Sequence, residues 1–210
     1  MCIRDSTVTD LGRDGDTVST VTLASGHVIS CGTLVNAAGP SASVIAAMAD
    51  VSLHVEPRKR YTYIFTAAEK LDRALPLTID PNGVHVRSEG DAYMGGCTPD
   101  IDPAVDYDDY AMDHDIFEDK VWPTLAHRIP AFERIKVQTQ WAGHYAHNPF
   151  DHNVIVGPHT EAPNFMLANG FSGHGLQQAP AIGRGVSELC LLYTSPSPRD
   201  RTRSRMPSSA

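Results

Sequence analysis

Residues Gly170–Gln178 read Gly-Phe-Ser-Gly-His-Gly-Leu-Gln-Gln. The glycines at 170, 173 and 175 keep side chains out of the way, so the backbone can turn through positive φ and approach a flat ligand closely. After them Leu176, Ala179, Ile182, Gly183, Val186 and Leu189 recur three or four apart, as on one helix face. Pro180 is expected in the first turn of that helix, where proline is tolerated. Before the glycines, Asn164–Ala168 (Asn-Phe-Met-Leu-Ala) reads as a short buried strand. Strand, glycine loop and helix in this order leave the free N–H groups of the helix pointing back at the loop, a geometry that binds an electron-rich group. Pattern alone also allows a plain strand-to-helix turn.

A second stretch of this kind lies near the start of the chain. Thr33–Pro40 (Thr-Leu-Val-Asn-Ala-Ala-Gly-Pro) is a short apolar strand ending in small residues, and Ser41–Met48 is an Ala-rich helix. Before it, Thr7–Thr22 alternates around the turn Arg13-Asp14-Gly15-Asp16 and predicts a β-hairpin, with another turn at Ser25-Gly26 leading to Val28 and Ile29. Between the two stretches, Val55–Thr66 is β-branched and aromatic, and Thr78–Asp80, Val84–Arg87 and Ala92–Gly96 are shorter strands separated by turns. Such strands predict an antiparallel sheet. Thr98–Asp109 is an acidic, Pro-containing loop without the glycine and terminal glutamate of a calcium loop. Asp113–His127 has helical periodicity that Pro123 should kink or divide, and Ile135–Ala146 alternates as a strand with Trp141 and Tyr145 on one face.

The two ends read as library DNA. Cys190–Ser195 can be encoded by TGTCTCTTATACACATCT, and the reverse complement of that DNA encodes Met-Cys-Ile-Arg-Asp, which is Met1–Asp5. Residues 1–6 and 190–210 are therefore expected to be sequencing-adapter sequence, the second of them disordered. The whole chain carries a formal charge of −8, and the arginines of that tail mask a still more acidic remainder, which argues against nucleic acid as a partner. Only Cys31 and Cys97 lie between the ends, without paired spacing, which suits a reducing compartment: bacterial cytoplasm, or the mitochondrion of a eukaryote. No apolar run reaches membrane-spanning length. His144, His147, His152, His159 and His174 fall close together, but no helical His-x3-His and no cysteine pair accompanies them, so no metal is expected.

Gly170–Gly175 and the Ala37-Ala38-Gly39 strand end together resemble the D-amino-acid oxidase and sarcosine oxidase superfamily of FAD-dependent oxidoreductases. The longer string Gly170–Gly183, with Arg58–Tyr61 and Trp122–Pro130, is similar to a branch linked to the assembly of respiratory complex I. The resemblance implies a mixed α/β fold, a partial Rossmann-like FAD-binding domain with an antiparallel-sheet substrate domain. Residues 7–50 would form the late part of the FAD domain, 51–147 the substrate domain, and 148–189 the return strands, flavin loop and helix. Ala37, Ala38 and Gly39 would let the backbone approach the dinucleotide, although tight helix packing is their plainer reading. Gly170, Phe171, Ser172, Gly173, His174, Gly175, Leu176 and Gln177 would line the isoalloxazine ring. The Gly-x-Gly-x-x-Gly of such domains is absent and would lie upstream of residue 1, so the chain alone is expected to be inactive.

The implied activity is oxidation of a C–N bond of an amino acid or N-methyl amino acid by hydride transfer to flavin. Tyr145 and Gln177 are the candidate catalytic residues, with a core tyrosine the alternative for the first. Arg58 and Lys59 are candidates for a substrate carboxylate, or a solvated basic pair. Sarcosine oxidases carry lysine where Gln177 stands and bind flavin through a cysteine near the place of Gly143, so the FAD is expected to be non-covalent. Their oxygen-activating lysine is missing after Gly95-Gly96-Cys97, which favours a dehydrogenase passing electrons to a partner protein. The alternative is a flavin-stabilised assembly or binding factor with little turnover.

Overall fold

The computed structural model describes residues 6–191. Most of both ends assigned above to adapter sequence, and with it the expected disorder of the C-terminal one, lies outside the described residues. In chain order the strands are β1 (Val8–Asp14), β2 (Thr17–Leu23), β3 (Val28–Ser30), β4 (Leu34–Asn36), β5 (Glu56–Ala67), β6 (Thr78–Ile79), β7 (His85–Glu89), β8 (Ala92–Cys97), β9 (Ile135–His147), β10 (Ile155–His159) and β11 (Ala162–Asn169). The helices are α1 (Ala42–Met48), α2 (Trp122–Arg128) and α3 (Gly175–Cys190). Two compact units divide the chain: Glu56–His147 forms one, and the described parts of Met1–Val55 and Asn148–Ala210 form the other.

The unit built from both ends of the chain contains two small sheets. β1, β2 and β3 form an antiparallel meander, whose first turn closes at Gly15 with φ +62°. β10, β11 and β4 form the other, and here β11 runs antiparallel to β10 but parallel to β4, with Leu167 opposite Asn36. Asn164 ties the two sheets together: its amide accepts from Val18 N–H at 2.8 Å and donates to the carbonyls of Val18 (2.7 Å) and Gly32 (3.0 Å). Periodicity does not mark β10, because Gly157 and Pro158 interrupt its apolar run. As an edge strand it tolerates a residue without an N–H.

Helix α3 departs from expectation in two respects. Pro180 lies inside the helix, not in its first turn, because the helix begins at Gly175. The carbonyl of Leu176, which would receive the missing N–H, belongs to a residue that is 91% exposed, so water can serve it. The apolar face is also only half-covered: Ile182, Gly185 and Val186 are half-buried, and no residue of α3 is buried.

The other unit is a five-stranded antiparallel sheet in the order β6-β7-β8-β5-β9. Alternation along β5 sends Tyr61, Tyr63 and Phe65 into a core with Val86, Tyr93, Leu125 and Phe132. Phe132 meets Phe65 edge-on at 5.4 Å and Tyr93 at 4.6 Å between ring centroids. The segment before α2 resolves the expected conflict over Pro123. Phe117–Val121 forms a wide π turn in which Trp122 N–H reaches back to the Phe117 carbonyl, and Pro123 falls in the first turn of α2, where it needs no donor.

Candidate functional site

Strands β4 and β11 end side by side, and each is followed by small residues. After β4 come Ala37 and Ala38, both exposed, and Gly39 with φ +58°. After β11 comes the glycine loop, with φ of +70° at Gly170, +49° at Ser172 and +96° at Gly173. Ligands of open α/β sheets bind beyond the carboxyl ends of parallel strands, which is where both stretches lie. A non-glycine residue in left-handed backbone needs support, and Ser172 has it. Its Oγ accepts the Asn148 N–H at 3.0 Å and donates to the Gly170 carbonyl at 3.3 Å. A Cβ on Gly170 would come within 3.1 Å of the Asn148 Cβ, and one on Gly175 within 3.3 Å of Phe171, so a side chain at either position would be tight, and at Gly170 the left-handed backbone disfavours one as well.

Burial of polar side chains is concentrated at this site. Among the described residues the buried polar side chains are Asn36, Asn148 and Asn169. Asn36 ends β4, Asn169 ends β11, and Asn148 underlies the loop. Asn36 Nδ2 donates to the Ala42 carbonyl (2.9 Å) and its Oδ1 accepts from Ala38 N–H (3.2 Å), fixing the turn between β4 and α1. Asn148 Nδ2 donates to Asp151 Oδ1 (2.8 Å) and the Asn153 carbonyl (2.7 Å), while its Oδ1 accepts from Phe150 N–H (3.1 Å). Buried amides cost free energy unless bonded, so three in one place mark a backbone held to a particular path. Sequence reasoning missed all three. The available signal was an Asx turn, Asn-Pro-Phe-Asp, directly after a long strand.

The N-terminus of α3 stands open beside the loop. His174 caps it without a side-chain hydrogen bond and no acidic residue lies in its first turn, which leaves its partial positive charge available to an electron-rich group. Phe171 and Gly175 are half-buried, whereas Gly173, His174, Leu176 and Gln177 are exposed.

Tyr145, Arg58 and Lys59 belong to the sheet unit. Tyr145 on β9 pairs with Arg58 on β5, and the Arg60 guanidinium lies over the Tyr145 ring at 4.7 Å. Lys59 points to the opposite face, as adjacent strand residues must. The two basic residues are thus not brought together on one carboxylate: Arg58 is bonded to Glu56 at 2.7 Å and Lys59 to Asp109 at 2.9 Å. Arg60 is held bidentate by Asp102, with both bonds at 2.7 Å. The acidic segment therefore grips β5 from both faces, and Val105 N–H pairs with the Pro57 carbonyl along the stretch of β5 that β8 leaves open. Lys59 is pushed up and Asp109 down, chiefly by their mutual hydrogen bond. Cys97, at the end of β8, is buried, and burial raises its thiol. Among the described residues no group of three His, Cys, Asp or Glu side chains gathers as a metal site, and no helix is long and apolar enough to cross a membrane.

The family model for FAD dependent oxidoreductase matches residues 2–189. FAD-dependent oxidoreductase domain-containing protein 1 of Bos taurus is 45% identical over 176 residues, which cover 78% of this chain and 36% of that protein. Its homolog in Drosophila melanogaster is 35% identical over 207 residues, covering 89% and 39%. The chain thus spans little more than a third of these relatives. Among solved structures, L-proline dehydrogenase from P. horikoshii superposes with a TM-score of 0.80 at 26% identity, over 95% of this chain and 54% of that one. Glycine oxidase from Geobacillus kaustophilus gives 0.77 at 19% identity, over 90% and 49%. The glycine loop, the small-residue strand end and the open helix N-terminus are features that suit a flat dinucleotide, and the chain belongs to the FAD dependent oxidoreductase (DAO) family.

Proposed function

We propose that the protein containing this chain oxidises the C–N bond of an amino acid or N-methyl amino acid. The observation that carries this reading is the convergence of the buried asparagines, the left-handed backbone at 170–173 and the uncapped α3 terminus beside two parallel strand ends. The similar solved proteins named for proline and glycine support the amino-acid class. FAD, when bound, supplies the acceptor for the hydride leaving the carbon next to nitrogen.

The chain's own residues do the remaining work. Ala37, Ala38 and Gly39 would admit the dinucleotide with little side chain in its path, and the backbone of residues 170–177 would hold the ring. The α3 terminus, with its free N–H groups and partial positive charge, would favour an electron-rich group held at the loop. Gln177 offers the ring or substrate a neutral hydrogen bond. On the sheet unit, Arg58 exchanges Glu56 for the substrate carboxylate, and Tyr145, steadied by Arg60, faces the substrate. Lys59 has no part in this grip. Attachment of the cofactor is non-covalent: Gly143 offers no thiol, and Cys97 is buried with its thiol pushed up, a poor nucleophile. The missing lysine after Cys97 favours a dehydrogenase that hands electrons to a partner protein.

The test uses a polypeptide carrying this chain within the length of its relatives. Its visible spectrum is recorded before and after anaerobic addition of N-methyl and amino acids. Bleaching of a flavin spectrum by one of them is the expected result. A flavin that none of them bleaches favours the assembly or binding factor, and a colourless protein overturns the reading.

A further inference from the structure

Asn169, the last residue of β11, is completely buried, and its side-chain oxygen has no hydrogen-bond partner. The orientation of its amide is dictated by its neighbours. Asn36 must turn Nδ2 to the Ala42 carbonyl and Oδ1 to the Ala38 N–H. That same Oδ1 accepts from Asn169 Nδ2 at 3.4 Å. Exchanging oxygen and nitrogen on Asn169 would set two amide oxygens against each other, so it is the acceptor that is left over, not a donor. The other unpartnered buried atoms among the described residues, Arg13 Nε and Arg60 Nε, are donors in guanidinium groups that are bonded through their remaining nitrogens. Among the described residues Asn169 Oδ1 is therefore alone in kind, an orphan acceptor directly before Gly170.

A buried acceptor without a donor destabilises a fold, and leucine, of nearly the same shape, would remove that cost. Its position at the end of two parallel strands, between the two small-residue stretches, is where a ligand would bring a donor. FAD carries such donors in its hydroxyl groups and its ring N–H. We infer that Asn169 is a cofactor-binding residue whose Oδ1 accepts a hydrogen bond from a donor of bound FAD. This rests on the reading that the protein binds FAD at the 170–177 loop.

The distinguishing feature is that stability and affinity move in different directions. In the protein at the length of its relatives, flavin is removed and FAD is titrated back while flavin fluorescence is followed, and thermal midpoints are taken with and without FAD. For Asn169→Leu the expected result is FAD affinity lower by about tenfold, the factor carried by one ordinary hydrogen bond. The flavin-free midpoint should be unchanged or raised, so the gap between free and loaded midpoints narrows. Asn169→Ser, which cannot overfill the site, should show the same loss of affinity. Unchanged affinity in both variants overturns the inference, as does a flavin-free midpoint that falls in Asn169→Leu, since Oδ1 would then have a protein or water partner. If the unsubstituted protein takes up no FAD, the cofactor reading itself fails.

Discussion

The two units bury different things. In Glu56–His147 the interior is apolar and aromatic, with Tyr63, Phe65 and Phe132 fully enclosed on one face of a five-stranded sheet. In the other unit the buried side chains are smaller on average, with alanine and valine common among them, include all three buried asparagines of the described residues, and leave its longest helix without a single buried residue. The first interior supplies stability through area and close packing. The second gives part of its interior to amides that stabilise little by themselves but hold loop backbone in left-handed conformations. A platform and a cradle answer to different physics, and substitutions should separate them.

The largest effect belongs to the platform. Phe132→Ala removes a ring in contact with two others and should lower the unfolding free energy by about 3–5 kcal/mol, read from urea unfolding. A loss below about 1 kcal/mol would show that the site collapses freely and that the aromatic cluster is not what holds the sheet. Next comes the cradle, at Gly173. A valine forced to φ +96° carries strain of about 1–3 kcal/mol, which the loop can relieve only by changing path. In the protein of full relative length, Gly173→Val should abolish FAD uptake while leaving the unfolding of the sheet unit unchanged. Full flavin content in that variant would remove the loop from the cofactor site.

Asn148→Ala should give a smaller effect, about 1 kcal/mol of stability, because the groups it serves at Phe150, Asp151 and Asn153 lie where water can replace it. Asn148→Asp should be worse than alanine, since the Asp151 carboxylate would then face another carboxylate. The two variants compared by thermal denaturation decide whether the amide is a hydrogen-bond hub or a space filler.

Much of the platform was legible because its strands obey one rule. Tyr61, Tyr63 and Phe65 alternate, and hairpin turns such as Pro81-Asn82-Gly83 separate what they should. The glycine loop was legible for the opposite reason: three glycines in six residues have few uses besides left-handed backbone and close approach. What stayed hidden were the properties of single letters. An asparagine at a strand end looks the same in sequence whether solvent or a neighbouring amide takes its hydrogen bonds, so Asn36 and Asn169 carry no signal, and Asn148 carries only that of its Asx turn. Arg58-Lys59 looked like one cationic patch because adjacency in sequence resembles adjacency in space, yet period two sends them to opposite faces. Pro180 was misplaced because the helix starts at Gly175, and only the backbone shows where a glycine loop stops.

The smallest effect tests the join between the sheet and its acidic strap. Lys59 and Asp109 hold each other across β5, and Asp109 also accepts the Ala111 N–H at 3.1 Å. Asp109 is lowered from its ordinary 3.8, so its contribution is present above that value and is lost as pH falls through the lower folded value. Lys59 is raised from 10.5, so its contribution is present below that value and is lost as pH rises through the higher folded one. The strap should therefore stay closed across the neutral range and loosen at both extremes. Amide-exchange protection at Val105 and Ala111, followed from about pH 6 down to about pH 2, should fall only below the ordinary carboxylate value, and Asp109→Asn should flatten that dependence without moving protection in β7 or β8. Protection that falls equally throughout the sheet would mean that acid acts on the aromatic platform itself, and that the strap is part of the platform rather than an attachment to it.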